Sequence, residues 1–280
     1  MTLFPKKSLG QHFLIDENIA RKIVGCLNPE IPCVLEIGPG KGILTKYLLE
    51  NPAFDPLFIE IDKNSVAYLK EHYPDIKGRI IEENFLNLNL KRLLEPTQNH
   101  KLSNHPTSNI QHPTSNIEHR ASSLQLLGNF PYNISSQILF RVIEYKDIVG
   151  ELVGMFQREV AQRIASPPGS KEYGILSVLL QAYYDIEYLL SVSEKVFQPP
   201  PKVKSALIRL KRNDVKALDC DEAFFIRVVK TAFNQRRKML RNSLRSLAGS
   251  GFSSWDDPVM RKRPEQLSVE EFTRLTRLIQ

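Results

Sequence analysis

The chain is poor in cysteine, has no long apolar run and, over one C-terminal stretch, has no acidic residues at all. Each absence excludes something. Cys26, Cys33 and Cys220 are odd in number and far apart, so they offer neither a disulfide framework nor a paired zinc-ligand spacing. They are expected to be ordinary buried thiols of a reducing compartment. No stretch approaches the roughly 18 consecutive apolar residues of a membrane-spanning helix. Residues 1–16 contain Lys6 and Lys7 but lack the apolar core and small-residue ending of an export signal. A soluble, cytoplasmic protein with no membrane partner is expected. Residues 227–245 hold seven Lys or Arg and no Asp or Glu, in a chain of formal charge +7. This run points to a polyanionic partner, with a solvated helix face as the plainer alternative.

A chain of 280 residues has room for one α/β domain and a smaller second one. From residue 33 onward, short apolar runs alternate with amphipathic stretches, as in a mostly parallel sheet covered by helices. Strands are predicted at 33–37, 57–61, 79–82, 125–128 and 152–156, and helices at 44–49, 64–72, 135–144, 158–164 and around 173–183. Two further β-rich runs, 186–192 and 205–212, flank a proline cluster and predict an antiparallel, hairpin-like edge. Near Asp214 the composition changes to Arg- and Leu-rich helical sequence with breaks at Pro258 and Pro264. The predicted division is therefore 1–212 and 213–280, with 213–220 as the linker. Residues 97–123 stand apart: "HPTSNI" occurs at 105–110 and again at 112–117, and four of the six histidines lie here. His105, His112 and His119 are evenly spaced, yet no rigid element or carboxylate supports a metal site. A flexible surface insertion is expected, and no metal.

"VLEIGPGKGILT", residues 34–45, reads as a strand, a glycine turn and a helix start. Gly38, Gly40 and Gly42 permit positive φ and a close approach of ligand to backbone, while the helix start offers free N–H groups to an anion. The next strand ends in "FIEID", so Glu60 arrives 18 residues after Gly42, where it can accept from ribose hydroxyls. The G-x-G-x-G spacing departs from the dinucleotide pattern, and the turn alone leaves S-adenosylmethionine, NAD and a purely structural role open. Glu36 and Asp62 flank the site and are expected to be caps or solvated. Lys41 is expected to face solvent, because no Ser or Thr follows it as a phosphate loop requires.

The second motif lies in "LLGNFPYNISSQILF", residues 126–140. An adenine amine is a poor nucleophile because its lone pair is delocalised into the ring. Two acceptors gripping its N–H bonds would localise that lone pair, and "NFPY" supplies two: the Asn129 side-chain oxygen and the Phe130 carbonyl. Pro131 fixes its own φ and biases Phe130 toward extended backbone, aiming that carbonyl outward. Tyr132 offers a flat face for a base, worth ~1–3 kcal/mol. Read alone, "NFPYN" is also compatible with a strand-ending turn. Both motifs follow presumed parallel strands, at the end where such sheets bind ligands.

In order along the chain, "KKSLGQHFLID", "EIGPGKGILT", "FIEID", "GNFPYNISS", "FQREVAQRI", "VFQPPPKVKSALIRL" and "TAFNQRRKMLRNSL" resemble the small-subunit ribosomal RNA adenine N6,N6-dimethyltransferases, the KsgA/RsmA type, which are related to the Erm enzymes. The resemblance implies a Rossmann-like class I S-adenosylmethionine-dependent methyltransferase, with a seven-stranded mostly parallel sheet and a small α-helical C-terminal domain. It also implies roles. His12 and Leu14 belong to a segment that closes over the cofactor. Gly38 lies beside its methionine part, Gly40 belongs to the same cofactor-binding turn, and Glu60 binds its ribose. Asn84 stands where the family has Asp, with an amide oxygen still able to accept from the cofactor's adenine. Asn129 is the catalytic asparagine and also borders the cofactor, Tyr132 stacks on the target base, and Phe197 is a second stacking aromatic. Without the resemblance Phe197 reads as a core aromatic. Arg236, Arg237, Lys238, Arg241 and Arg245 would contact RNA, with Arg237, Arg241 and Arg245 forming a stripe if they share a helix.

The implied reaction dimethylates two adjacent adenines in the 3′-terminal hairpin loop of 16S rRNA, within the small subunit or its precursor, by a monomer. Other readings are an Erm-like enzyme acting on 23S rRNA, a DNA adenine methyltransferase, and a non-catalytic assembly or transcription factor. A DNA enzyme would more usually have proline where Phe130 stands. An NAD dehydrogenase would need a hydride-handling histidine, and outside the insertion only His12 and His72 are available.

Overall fold

The apolar runs of the first two thirds are buried on both faces, as strands of a sheet covered by helices must be. The computed structural model describes residues 3–94, 123–249 and 251–280. Two short strands, β1 (Phe13–Leu14) and β8 (Phe197–Gln198), pair with each other. The remaining strands are β2 (Cys33–Ile37), β3 (Asp55–Ile59), β4 (Ile80–Ile81), β5 (Leu124–Asn129), β6 (Val149–Gln157), β7 (Tyr184–Val192) and β9 (Ser205–Arg212). They form one sheet in the order β4-β3-β2-β5-β6-β9-β7. Only β9 is reversed, running antiparallel to both β6 and β7, so the hairpin-like edge expected there is present. The sheet grows outward from β2 in one direction through β3 and β4, and in the other through β5 and β6. Between β2 and β5 lies the switch point at which such sheets open a crevice.

Helices α1 (Glu17–Val24), α2 (Ile43–Glu50), α3 (Lys63–His72), α4 (Ser135–Glu144), α5 (Arg158–Ala165) and α6 (Ile175–Gln181) accompany the strands. Carboxylates set two of their starts: Asp16 accepts from the N–H groups of Asn18 and Ile19, and Asp62 from that of Asn64. Such caps contribute about 1 kcal/mol each. The C-terminal region holds α7 (Glu222–Asn234), α8 (Leu240–Ser243) and α9 (Val269–Ile279), with 3-10 turns beginning at Pro258 and Pro264 where breaks were predicted. Asp221 caps α7, and Ser268 with Glu271 forms a capping box on α9.

Strand alternation feeds two buried clusters, with Leu126 on one face of the sheet and Leu127 on the other. The first cluster continues without a gap from Leu35, Leu126 and Leu152 into Phe225, Val229 and Phe272 of the C-terminal helices. The sheet and the C-terminal region thus share one core.

The strand expected at 57–61 runs from 55 to 59; beyond it Glu60 still donates its N–H to the Ile81 carbonyl, while its side chain bonds two loops. The helix expected around 173–183 spans 175–181. None of the three cysteines forms a disulfide, and all three are only partly buried, where buried thiols were expected. The "HPTSNI" segment lies outside the described residues. Among the described residues, no helix is long and apolar enough to cross a membrane.

Candidate active site

The crevice at the carboxyl ends of β2, β3 and β5 is a cavity walled by the glycine turn, Glu60, the Asn84 turn, the NFPY turn and residues 9–13. Gly38, Gly40 and Gly42 have φ of 68°, 58° and 78°, where other residues are strained. At Gly40 space matters too: a Cβ would lie 2.9 Å from the Phe13 ring. Lys41 sits half-buried with its ammonium 5.2 Å from the centre of that ring, not free in solvent as expected.

Glu60 is 4% exposed and ties two loops together. Its Oε2 accepts from the Gly40 N–H (3.2 Å) and its Oε1 from the Asp62 N–H (2.9 Å). Burial raises its pKa, and these N–H groups pull against that rise. Glu36 is fully buried, neither cap nor solvated, which corrects the sequence expectation. Its Oε2 accepts from the Thr45 hydroxyl at 2.7 Å. Burial first, then the charge of Glu60, pushes its pKa up to about 8 against the pull of Thr45. Asp62 caps α3 but is also enclosed beneath the N-terminal segment, where it meets Lys6 Nζ (2.5 Å) and Gln11 Nε2 (3.3 Å). Burial raises its pKa, yet the bonds from Lys6, Asn64 and Gln11 outweigh burial and hold it below the ordinary value.

Asn84 lines the cavity, but its Oδ1 already accepts from the Leu86 N–H at 3.0 Å. The oxygen expected to meet adenine therefore caps a short turn. Among the described residues, the side-chain amide nitrogen of Asn84 meets no acceptor.

Asn129 ends β5, and its Nδ2 donates to the His12 carbonyl at 2.7 Å. A carbonyl can only accept, so this bond fixes the amide orientation. The Phe130 ring is buried, packed on Phe156 at 5.0 Å between ring centres, and its N–H donates to the Met155 carbonyl. The ring fills space that two glycines leave open: a Cβ on Gly128 or Gly154 would lie 2.6 or 2.1 Å from it. The Pro131 carbonyl is occupied by the Ile134 N–H and the Ser135 hydroxyl. Among the described residues, no donor reaches either Asn129 Oδ1 or the Phe130 carbonyl. The turn therefore keeps two adjacent acceptors free. Tyr132 is half-buried, its hydroxyl 2.6 Å from Ser205 Oγ and its ring offset-stacked on the His12 imidazole at 5.7 Å.

His12, Gly38, Gly40, Glu60, Asn84, Asn129, Phe130, Pro131 and Tyr132 thus come together around one cavity. Leu14 and Phe197 do not line it. They pair across β1 and β8 and are 4% and 2% exposed within the second buried cluster. Successive strand residues face opposite ways, so β1 sends Phe13 to the cavity and Leu14 to the core. Phe197 sits as a core aromatic. Three contributors carried no local signal in the sequence: Gly128 and Gly154 beneath Phe130, and Ser205 at the tip of Tyr132.

The cationic stripe is corrected as well. Helix α7 stops at Asn234, residues 235–239 form a turn, and of the three arginines only Arg241 lies in α8. The helix breaks because Leu240 is drawn into the core while its N–H donates to the Lys262 carbonyl at 2.9 Å. Arg237, Lys238, Arg241 and Arg245 are exposed. Arg236 is half-buried, bonded to the Ser170 carbonyl and 3.8 Å from Glu265.

Known proteins resemble this one along its whole length. The chain is 52% identical over 278 residues to the ribosomal RNA small subunit methyltransferase A of Parabacteroides distasonis, covering 99% of this chain and 94% of that protein. The protein of the same name from Flavobacterium johnsoniae is 50% identical over 276 residues, covering 98% and 95%. Among solved structures, a dimethyladenosine transferase from Plasmodium falciparum superposes with a TM-score of 0.70 at 21% identity, covering 94% of this chain and 96% of that one. The 23S rRNA methyltransferase ErmE gives 0.59 at 24% identity, covering 95% and 99%. At such identities the likeness concerns the fold, a methyltransferase sheet with a helical C-terminal region. The family model described as ribosomal RNA adenine dimethylase matches residues 4–280, and this chain belongs to that family.

Proposed function

We propose that this chain transfers methyl groups from S-adenosylmethionine to N6 of two adjacent adenines in the 3′-terminal hairpin loop of 16S rRNA, giving N6,N6-dimethyladenine. It acts as a monomer in the cytoplasm, on RNA held in the small subunit or its precursor. The observation that carries the reading is the state of the NFPY turn. The His12 carbonyl occupies the amide nitrogen of Asn129, and among the described residues no donor reaches Asn129 Oδ1 or the Phe130 carbonyl. These two oxygens can take the two hydrogens of one amine and turn its lone pair out of conjugation. Tyr132, held at its hydroxyl by Ser205, offers the face on which the base rests.

The cavity fits the cofactor: a positive-φ glycine turn lies open at Gly38, and a buried carboxylate, Glu60, stands at the end of the neighbouring strand. Gly38 and Gly40 would hold the methionine part, Glu60 the ribose, Asn84 the adenine, and the segment around His12 would cover it. The cofactor supplies a methyl group already activated on a positively charged sulfur, so no charged general base is needed. The protein's contribution is alignment of the amine, worth several kcal/mol when reacting atoms are held near contact. Asn129 Oδ1 and the Phe130 carbonyl keep hold of the amine hydrogens until one departs to solvent.

Residues 213–280 have the RNA-binding role in this reading. Arg237, Lys238, Arg241 and Arg245 are free to meet phosphates, with Arg236 bracing the turn. Transfer of labelled methyl groups to small subunits lacking the modification tests the proposal, with Asn129→Ala as the control. Incorporation by that variant at the wild-type rate would overturn the catalytic assignment. Subunit binding without any incorporation by the wild type would leave only an assembly factor.

A further inference from the structure

Two residues of the N-terminal motif, Lys6 and Gln11, have no part in the chemistry above, yet both converge on one enclosed carboxylate. Lys6 Nζ lies 2.5 Å from Asp62 Oδ1, and Gln11 Nε2 lies 3.3 Å from Oδ2. Gln11 Oε1 also accepts from the Lys6 N–H at 2.8 Å, bracing the turn between them. The Asp62 side chain is 0% exposed, and Lys6 is the cation paired with it. From this anchor residues 9–13 run on as a wall of the cavity, and the His12 carbonyl receives the Asn129 amide. One end of the segment is therefore fastened to the loop after Glu60, and the other orients the catalytic side chain. Released from His12, the Asn129 amide could rotate and turn N–H groups toward the substrate amine, where donors would oppose donors.

We propose that the Lys6–Asp62 ion pair is a latch that holds residues 9–13 over the cavity and thereby fixes the Asn129 amide with its oxygen toward the base. Lys6 and Asp62 are positioning residues. They act through His12 and touch no reacting atom. Removing Lys6 also leaves an enclosed carboxylate without its counter-charge, which favours opening of the segment. The inference rests on the methyl-transfer reading for its catalytic half only, since the cover over the cavity can be read by binding alone.

The test uses full-length Lys6→Met, Lys6→Arg, Asp62→Asn and the Lys6→Met/Asp62→Asn double variant; Asn still caps a helix, so α3 keeps its start. Calorimetry with S-adenosylhomocysteine and no RNA gives Kd, and methyl transfer to undermethylated small subunits gives kcat and KM. Lys6→Met and Asp62→Asn are each expected to lower kcat about tenfold and to weaken S-adenosylhomocysteine several-fold, with KM for the subunit unchanged. The double variant is expected to be no worse than either single one, and Lys6→Arg to stay within about twofold of wild type. Additive losses, a Lys6→Met enzyme with wild-type kcat and Kd, or a loss confined to KM for the subunit would each overturn the latch. If Asp62→Asn does not fold, the contrast between Lys6→Met and Lys6→Arg decides. A wild type that binds S-adenosylhomocysteine but transfers no methyl group would sink the methyl-transfer reading while the Kd comparison still judges the latch.

Discussion

The turn at 129–132 and the turn at 235–239 are both polar breaks after a regular element, and they are built in opposite ways. In the first, a buried ring, a carbonyl clamp and a hydroxyl on Tyr132 fix the chain, and two oxygens are left over. In the second, Leu240 is anchored, while Arg237 and Lys238, and Arg241 just beyond, extend into solvent. Activating an amine demands placement to a fraction of an ångström. Holding a phosphate backbone demands charge at roughly the right place, since that attraction is sequence-independent and screened by salt. On the proposed function, the interior would serve the first task and the surface the second.

Substitutions should separate the two regions. The largest effect is expected from Asn129→Ala, with kcat reduced about 10²- to 10³-fold, as for loss of one preorganised hydrogen-bonding group, and subunit affinity unchanged. Single-turnover methyl incorporation measures it; equal reductions in kcat and affinity would erase the contrast. Gly154→Ala comes next. Its Cβ would lie 2.1 Å from the Phe130 ring, so urea unfolding should show a loss of about 1–3 kcal/mol from overpacking. Tyr132→Leu should weaken capture of the base by ~1–3 kcal/mol without moving the unfolding midpoint comparably. Changing Arg237, Arg241 and Arg245 to Gln should lower the slope of log affinity against log salt by about one for each phosphate left without its cation, with kcat at saturating subunit unchanged.

The smallest effect, and a pH-dependent one, is expected for Glu36→Gln. With the folded pKa raised to about 8, the Glu36 contribution is fully present below its unfolded value and is lost as pH rises through about 8. The Gln variant has no proton to lose. Its stability relative to wild type should therefore grow between about pH 5 and 8 and level off above, as read by thermal unfolding across pH. A flat difference would mean that Glu36 is not shielded as the packing implies.

Much of the fold was legible because its signals are local. The strand at 205–212 matches to the residue, the glycine turn has the positive φ its glycines imply, and the breaks at Pro258 and Pro264 fall where proline demands. What escaped depends on partners distant in sequence. Gly154 makes room for a ring 24 positions earlier, and Ser205 meets a hydroxyl 73 positions earlier. Neither residue type announces such a role. The stripe of arginines failed for a related reason: four-residue spacing holds only within an unbroken helix, and "NQRRKM" contains no Gly or Pro to mark the break. Leu14 and Phe197 show that a motif can be placed correctly while the direction of a side chain is not.

One buried cluster runs from beneath the sheet into the C-terminal helices and so joins the region of the arginines to that of the NFPY turn. With the proposed roles, the protein would work as a gauge whose two jaws are braced by one core. On the proposed function, an RNA would be accepted when its own bends bring an adenine to the far jaw while its backbone rests on the near one, and selection would fall to the shape of the substrate.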